Sequence, residues 1–344
     1  MKYTSSGTLE WNSTWETTTS SSLVAAGGFG VAIDSSDDVY IVGTTSYYNI
    51  YNISTKTIIL LKYDQSGTQL WNRTLGDIIN NTEGVSIVID SLDNIYFTGI
   101  WERSYNEVDI ILAKYDQSGT QLWNRTWGGS GSDEVSEIVV DSLDNIYVTG
   151  IISQVGFFVK FDGDGVVKWN VTTPSIGYGK KLAIDSSNNV YILSTGYYTN
   201  NLTKFSSSGV LQWETTVYHS DVALNDIVLD SLNNIYFVGT SYDPYHHIAL
   251  MQCNSSGAEQ WTISLAWGKY EYGEAIAIDS LGNIYLAGNT YFEVILVKLS
   301  KLEEEEGEEG KEGGGKKIIL GYPLLIFLST IGLLTIFSLK KKFN

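Results

Sequence analysis

Apolar and polar positions alternate along this chain on two scales. On the short scale, runs rich in Ile, Val, Tyr, Phe and Trp are bounded by clusters of Asp, Asn, Ser and Gly. That is the pattern of short strands joined by tight turns, because small polar side chains bond the local backbone and Gly or Asn accepts positive φ. On the long scale the same set of runs returns. An apolar–Asp–Ser phrase that ends in an aromatic recurs at Asp34, Asp90, Asp141, Asp185, Asp230 and Asp279. A turn glycine followed by a tryptophan recurs with Trp11, Trp71, Trp123, Trp169, Trp213 and Trp261. The spacings, 44–60 residues, suit a unit of four strands.

Residues 85–128 show the unit. Strand A is predicted from Val85 to Ile89, B from Ile95 to Gly99, C from Ile110 to Tyr115 and D from Gln121 to Trp127. Before each repeat aspartate three apolar residues stand in a row, as in Ile87-Val88-Ile89 and Ile138-Val139-Val140, with Ala or Val always in the middle. A run apolar on both faces reads as a strand buried on both faces, so strand A is placed innermost. The chain opens with the end of a C strand (Lys2-Tyr3) and a D strand (Thr8 to Trp15), and its last repeat has A, B and C but no D. The expectation is an all-β, six-bladed propeller of four-stranded antiparallel blades. The N-terminal D strand completes the last blade, a 3+1 closure that hides open edges.

The stretch Trp127-Gly128-Gly129-Ser130-Gly131-Ser132-Asp133-Glu134, with Val139-Val140-Asp141-Ser142 and Asn145-Ile146-Tyr147-Val148-Thr149-Gly150, resembles the SBBP-type β-propeller repeat. The resemblance covers about residues 1–300 and is strongest in 60–150. It implies a propeller of the kind found in bacterial and archaeal surface or secreted proteins, and its motifs imply no catalytic residue. The phrase YDxSGxxLW is also similar to the tryptophan repeats of PQQ-dependent dehydrogenases, which implies eight blades with a cofactor and calcium. Six units and a single cysteine do not match that pattern.

Composition changes sharply after residue 302. Residues 1–302 read as the propeller, and 303–317 as an acidic Gly/Glu-rich linker that cannot bury a core. Residues 318–339 carry no charge over 22 positions and are flanked by lysines; at ~1.5 Å per residue a helix there spans about 33 Å, enough for a bilayer core. A transmembrane helix is therefore expected, with 340–344 as a basic cytoplasmic tail. Glycosylation sequons start at Asn12, Asn52, Asn72, Asn80, Asn124, Asn170, Asn201 and Asn254, four of them directly after a repeat tryptophan, which favours an exterior location. The N-terminus shows no signal peptide, so either the true start lies upstream or the chain is tail-anchored. The net charge of −18 excludes nucleic acid as a partner, since its phosphates need a basic footprint.

Turns A–B and C–D lie at one end of each blade and keep nearly constant length. The B–C loops at the other end vary, from Thr44–Thr57 to Ile151–Val155, and variable loops on a rigid scaffold are where binding evolves. Those loops are aromatic-rich. Tyr48, Trp101, Tyr105, Tyr198, Tyr245, His246 and Tyr270 are the candidate ligand contacts, for a glycan or a protein. Four residues before the repeat aspartates stand Glu137, Lys181 and Asp226, which form either a channel-mouth ligand site or a plain ion-pair network.

Other chemistry is thin. His246-His247 lacks a third metal ligand in sequence, Asp162-Gly163-Asp164-Gly165 falls at a C–D turn, and Cys253 aligns with core tyrosines Tyr63 and Tyr115. No cofactor, metal or catalytic residue is expected. The predicted role is a membrane-anchored extracellular binding or adhesion module; the alternatives are a purely structural envelope protein and a propeller oxidoreductase.

Overall fold

The computed structural model describes residues 1–4, 6–15, 23–48, 54–76, 81–104, 107–172, 178–195, 199–217, 221–242, 245–266, 270–291, 293–300, 324–329 and 334–338. The chain folds as a six-bladed β-propeller of antiparallel, four-stranded blades. Strands β1 (Lys2–Tyr3) and β2 (Leu9–Trp11) form an N-terminal hairpin. Blade one is β3 (Leu23–Ile33), β4 (Val39–Tyr48), β5 (Ser54–Tyr63) and β6 (Gln69–Leu75). Blade two is β7 (Asn81–Ile89), β8 (Ile95–Ser104), β9 (Glu107–Tyr115) and β10 (Gln121–Trp127). Blade three is β11 (Glu134–Val140), β12 (Ile146–Ile152), β13 (Val155–Phe161) and β14 (Val167–Thr172). Blade four is β15 (Tyr178–Ile184), β16 (Val190–Thr195), β17 (Asn200–Phe205) and β18 (Leu211–Val217). Blade five is β19 (Val222–Leu229), β20 (Ile235–Ser241), β21 (His247–Cys253) and β22 (Glu259–Leu265). Blade six is β23 (Tyr272–Ile278), β24 (Ile284–Asn289) and β25 (Glu293–Leu299).

These blades belong to two compact units. Met1–Gly196 with Thr203–Glu214 holds blades one to three and most of blade four; Tyr197–Leu202 with Thr215–Asn344 holds the remainder. Within each unit the A strands of successive blades lie side by side, which makes A the inner strand, as predicted. Burial falls differently from expectation. Strands B and C are the most buried, as at Ile95, Tyr96 and Phe97 of blade two, because the blades on either side cover both their faces. Of the three apolar residues before each strand A aspartate, chiefly the first is well covered, at Ile87, Ile138, Leu182, Ile227 and Ile276, while the next two positions are mostly half-buried. The equivalent residue of blade one, Val31, is 65% exposed where those five are 1–8% exposed. Phe29 and Ile33 are exposed too.

At one end of every blade the sequence repeat becomes a repeated set of contacts. Asp141 accepts hydrogen bonds at Oδ1 from the amides of Leu143 and Asn145, each at 2.9 Å, and at Oδ2 from the Tyr147 hydroxyl at 2.9 Å. Lys160 on strand C lies 3.5 Å from the same carboxylate, with its ammonium 4.8 Å from the Tyr147 ring centre. Trp169 on strand D closes the row edge-on against Tyr147, and strand register sets Tyr147, Lys160 and Trp169 side by side. The aspartate–tyrosine bond recurs in all six blades, at Asp34, Asp90, Asp185, Asp230 and Asp279. The lysine recurs as Lys62, Lys114, Lys204 and Lys298; blade five has Gln252 in its place.

Successive blades are also stitched at this end. The amide and hydroxyl of Ser35 donate to Asp93, and those of Ser91 to Asp144. Asp93 and Asp144 adopt φ near +60°, a left-handed turn position that Asp tolerates. The C–D turns place glycine at φ between 76° and 84°; at Gly165 an added Cβ would also lie 2.9 Å from the Trp123 ring.

Of the segment 318–339, where a helix is expected, residues 324–329 and 334–338 are described. Two strands, β26 (Leu324–Ser329) and β27 (Leu334–Ser338), extend the sheet of blade six outward from β25. Among the described residues no helix is long and apolar enough to cross a membrane.

Candidate functional site

At the other end of the blades, three connections of the second unit meet. They are the strand B–C connection of blade five (Tyr242 to His246), the link between blades five and six (ending at Glu271), and the B–C connection of blade six (Thr290 to Tyr291). A parallel bridge between His246 and Tyr270, with the Glu271 amide donating to the His246 carbonyl at 2.9 Å, locks the first two together. Tyrosine rings then gather about the histidines. His246 lies edge-on to Tyr242, Tyr270 and Tyr272 at 4.9, 5.5 and 5.1 Å between ring centres, and Tyr270 stands 5.0 Å from Tyr291. Such edge-to-face packing fits the ring quadrupoles and holds the rings in place.

The adjacent histidines serve opposite sides of the chain, as consecutive residues on an extended backbone must. His246 Nδ1 lies 2.7 Å from the Tyr272 hydroxyl, and His247 Nδ1 lies 2.9 Å from Oε2 of Glu271, a carboxylate with almost no exposure. Tyr272 is held above its ordinary ionisation range, first by its hydrogen bond with Tyr291 and then by burial. Outward, Tyr242, Tyr245, Tyr270 and Tyr291 remain 41–65% exposed. The result is a fixed platform of phenol rings with polar tips. Among the described residues no group of three or more His, Cys, Asp or Glu is placed to hold a metal ion.

Of the predicted contacts, the structure joins His246 and Tyr270, while Tyr245 lies edge-on to His247 at 6.4 Å between ring centres. It also adds Tyr242, Glu271, Tyr272 and Tyr291. Glu271 carries no sequence signal of its own, because only the bridge to His246 brings its carboxylate to the second histidine.

Trp101, expected on a loop, is found on a strand. It sits on strand β8, paired with Asp109, because antiparallel pairing continues past the predicted strand end; Arg103 lies over its ring and pairs with Asp109. Tyr48 likewise ends strand β4, paired with Ser54. Tyr105 and Tyr198 lie outside the described residues.

In the first unit, Glu137 and Lys181 do meet. Lys181 Nζ is 2.5 Å from Glu137 Oε2, and the Ser86 hydroxyl donates to Oε1 at 2.6 Å, so three successive A strands share one polar chain. Asp226, in the second unit, accepts hydrogen bonds from the amides of Ile227 and Ile276. These residues follow a feature that the sequence does not reveal. Each A strand carries a β-bulge there, as between Val135 and Glu137 and between Gly179 and Lys181.

The sequons divide by place. Asn12, Asn72, Asn124 and Asn170 are exposed, the last three on D strands. Asn201 is half-buried and accepts from the Thr216 hydroxyl. Asn254 anchors a C–D turn, accepting from the Ser256 amide and hydroxyl and the Ala258 amide. Asn52 and Asn80 lie outside the described residues. Asp162 anchors a C–D turn as expected, and burial pushes the Cys253 thiol up to about 12, which leaves it inert as a nucleophile.

A family model for a β-propeller repeat, SBBP, matches residues 266–293. That segment lies later than the stretch where the resemblance is strongest by eye, and it spans the link into blade six and its B–C connection. No curated protein matches the chain in sequence. Among solved structures, a catalytically inactive virginiamycin B lyase from Staphylococcus aureus with quinupristin is 13% identical; the match covers 79% of this chain and 80% of that one, with a TM-score of 0.55. YCF48 bound to a D1 peptide is 12% identical over 79% of this chain and 78% of that one, with a TM-score of 0.51. Likeness at these identities shows the fold alone.

Proposed function

We propose that this chain is a surface-displayed binding module, not an enzyme, and that its ligand is a glycan held on the tyrosine platform of the second unit. The observation that carries this reading is the convergence of Tyr242, Tyr270 and Tyr291 about His246, with the rings locked against one another and their outer faces still open. Phenol rings offer flat apolar area to the C–H faces of a sugar, while their hydroxyls and the imidazoles meet its polar edge. Screening the full chain on a glycan array tests it. A hit weakened at least about tenfold by Tyr270→Ala or Tyr291→Ala supports the platform. A hit that survives both, or binding only to protein ligands, overturns it.

Two further parts belong to the same proposal. Residues 318–339 anchor the chain in a membrane, supported by 22 uncharged positions between lysines. Flotation of the full chain with liposomes, lost on truncation after residue 302, is the expected result, and flotation unchanged by the truncation counts against an anchor.

With residues 318–339 in a membrane, the edge of β25 that pairs with β26 in the structure is open, and the Thr8 to Trp15 strand completes the outer edge of blade six there. The support is that Trp11 Nε1 donates to the Gln65 carbonyl on blade one just as Trp71 donates to Gln117 on blade two, the contact that a preceding blade's D strand makes. Blade six, meanwhile, has Tyr285 and Lys298 in the repeated row. Deleting residues 1–15 is expected to speed hydrogen exchange along Glu293–Leu299; unchanged protection there rules the closure out.

A further inference from the structure

The end of the blades that carries the repeated contacts also carries a repeated exposure. Each strand A–B turn sets its third residue at the tip. In blades two, three, five and six that residue is a leucine, and Leu92, Leu143, Leu232 and Leu281 are 71–77% exposed. In blades one and four it is Ser36 and Ser187.

The turn itself does not call for leucine. The Leu92, Leu143, Leu232 and Leu281 amides donate to the repeat aspartates at 2.9–3.0 Å. The Ser36 and Ser187 amides make the same bond to Asp34 and Asp185, at 2.9 and 3.0 Å. Only the backbone takes part, so serine serves the fold equally, and tight turns favour small polar residues. A single exposed leucine is ordinary; leucine at the same tip of four turns makes a surface. In the first unit two C–D turns at this end add Val166 and Val210, 55% and 58% exposed, where blades one and two have Thr68 and Thr120. The aspartates of the turns are already engaged: Asp90 and Asp141 are buried behind the tips, and Asp93 and Asp144 hold Ser35 and Ser91. Hydrogen bonding at this end is satisfied, and the apolar tips are what it leaves over.

The chain also leaves the propeller here. Leu299, the last residue of β25, pairs with Ile284, which starts β24 directly after the turn of Leu281. From there 18 residues, 300–317, lead to the apolar segment 318–339. A linker of that length reaches about 60 Å fully extended and about 23 Å as a flexible coil.

Resting on the membrane anchor proposed above, we infer that the leucine-tipped end of the blades docks on the surface of the same membrane, with Leu92, Leu143, Leu232 and Leu281 entering the boundary between headgroups and acyl chains. The tether holds the tips at high effective concentration beside the bilayer, so shallow apolar contacts that are weak from solution suffice. Charge selects the lipid. A chain at −18 is repelled by anionic headgroups, which leaves a surface of zwitterionic ones such as phosphatidylcholine. Docking at this end turns the tyrosine platform, at the opposite end of blades five and six, away from the bilayer.

Fluorescence of the full chain in phosphatidylcholine liposomes tests this. A bimane label is attached in three separate variants: Ser187→Cys and Leu281→Cys at the tips, and Gln154→Cys at the opposite end of blade three. Cys253 is buried and does not take the label. Lipids with a nitroxide high on the acyl chain are expected to quench both tip labels and to leave the label of Gln154→Cys bright. Changing the remaining tip leucines to serine, which the turns of blades one and four already accept, is expected to abolish the quenching while the chain still floats with the liposomes. Flotation without quenching at the tips, equal quenching at all three labels, or quenching that survives the serine changes overturns the docking and leaves the anchor standing. Failure to float overturns the anchor and the docking together. A shift of the tip labels that appears in detergent without lipid and grows with chain concentration assigns the tips to a second copy of the chain and overturns the membrane as their partner.

Discussion

The two ends of the blades are built on opposite principles. At the A–B and C–D end the same side chains recur, and each already has a partner within its own blade or the next. At the other end the connections differ from blade to blade, and in the second unit tyrosines gather about His246. Saturated contacts make architecture, because a satisfied buried polar group gains nothing from a ligand. The recurring end should therefore respond to change in stability, and the varied end in binding.

The largest expected effect comes from alkali, which attacks the recurring end in many blades together. Burial lifts Tyr40 from its ordinary 10.0 to about 12, and lifts Tyr96, Tyr147 and Tyr236 further. Below pH ~10 both folded and unfolded chains keep these protons. As pH rises the unfolded chain loses them first, so the stability they confer is lost as pH climbs through the folded values. Lys62 and Lys204 are also raised and act in the same direction. Denaturant midpoints should fall steeply above pH ~10. A flat profile to pH ~12 would mean that the rows contribute little.

Next in size is Tyr147→Ala. The ring is fully buried, packs on Phe158 and Trp169, and its hydroxyl serves Asp141. The cost should be about 3–5 kcal/mol in equilibrium unfolding. A loss under about 1 kcal/mol would show that blade three tolerates an empty rung.

How much of this end was legible in the sequence follows from its chemistry. The aspartates, turn residues and tryptophans announced themselves, because a tight turn admits few residue types and a large ring recurs only where it has a place to pack. Lys62, Lys114 and Lys160 gave no such signal: a lysine within an apolar strand reads as an exception until register sets it between a tyrosine and a tryptophan. The varied end was legible only as composition. The sequence pointed to Tyr245, His246 and Tyr270 but equally to Trp101, which pairs inside a strand. What separates them is the bridge between His246 and Tyr270, a long-range contact with no local pattern. The bulges of the A strands are hidden for the same reason, since an extra residue shows only against its partner strand.

A smaller effect comes from exchanging the one rung that departs from the rule. Gln252 in blade five is nearly unexposed, and its Oε1 lacks a hydrogen-bond partner among the described residues. Gln252→Lys would put an ammonium beside Asp230 and over Tyr236, and should stabilise by about 0.5–1.5 kcal/mol. The converse, Lys160→Gln, removes both the pairing with Asp141 and the bond to the Ser207 carbonyl, and should cost about 1–3 kcal/mol. If both substitutions destabilise equally, blade five has repacked around its glutamine and the rows are not interchangeable.

The smallest expected effect on stability falls on the varied end, at Tyr291→Ala. Its ring is 65% exposed, so truncation removes little buried area and should change the unfolding free energy by no more than about 0.5 kcal/mol. Tyr270 and Tyr272 both lean on that ring, however, and Tyr272 owes the first part of its raised ionisation range to the Tyr291 hydroxyl. Loss of the ring should therefore let Tyr272 ionise at lower pH, visible as an earlier phenolate absorbance, while the denaturant midpoint stays in place. A large drop in stability without any shift in the phenolate titration would reverse the assignment: this end too would then be architecture, with its tyrosines packed for the fold alone.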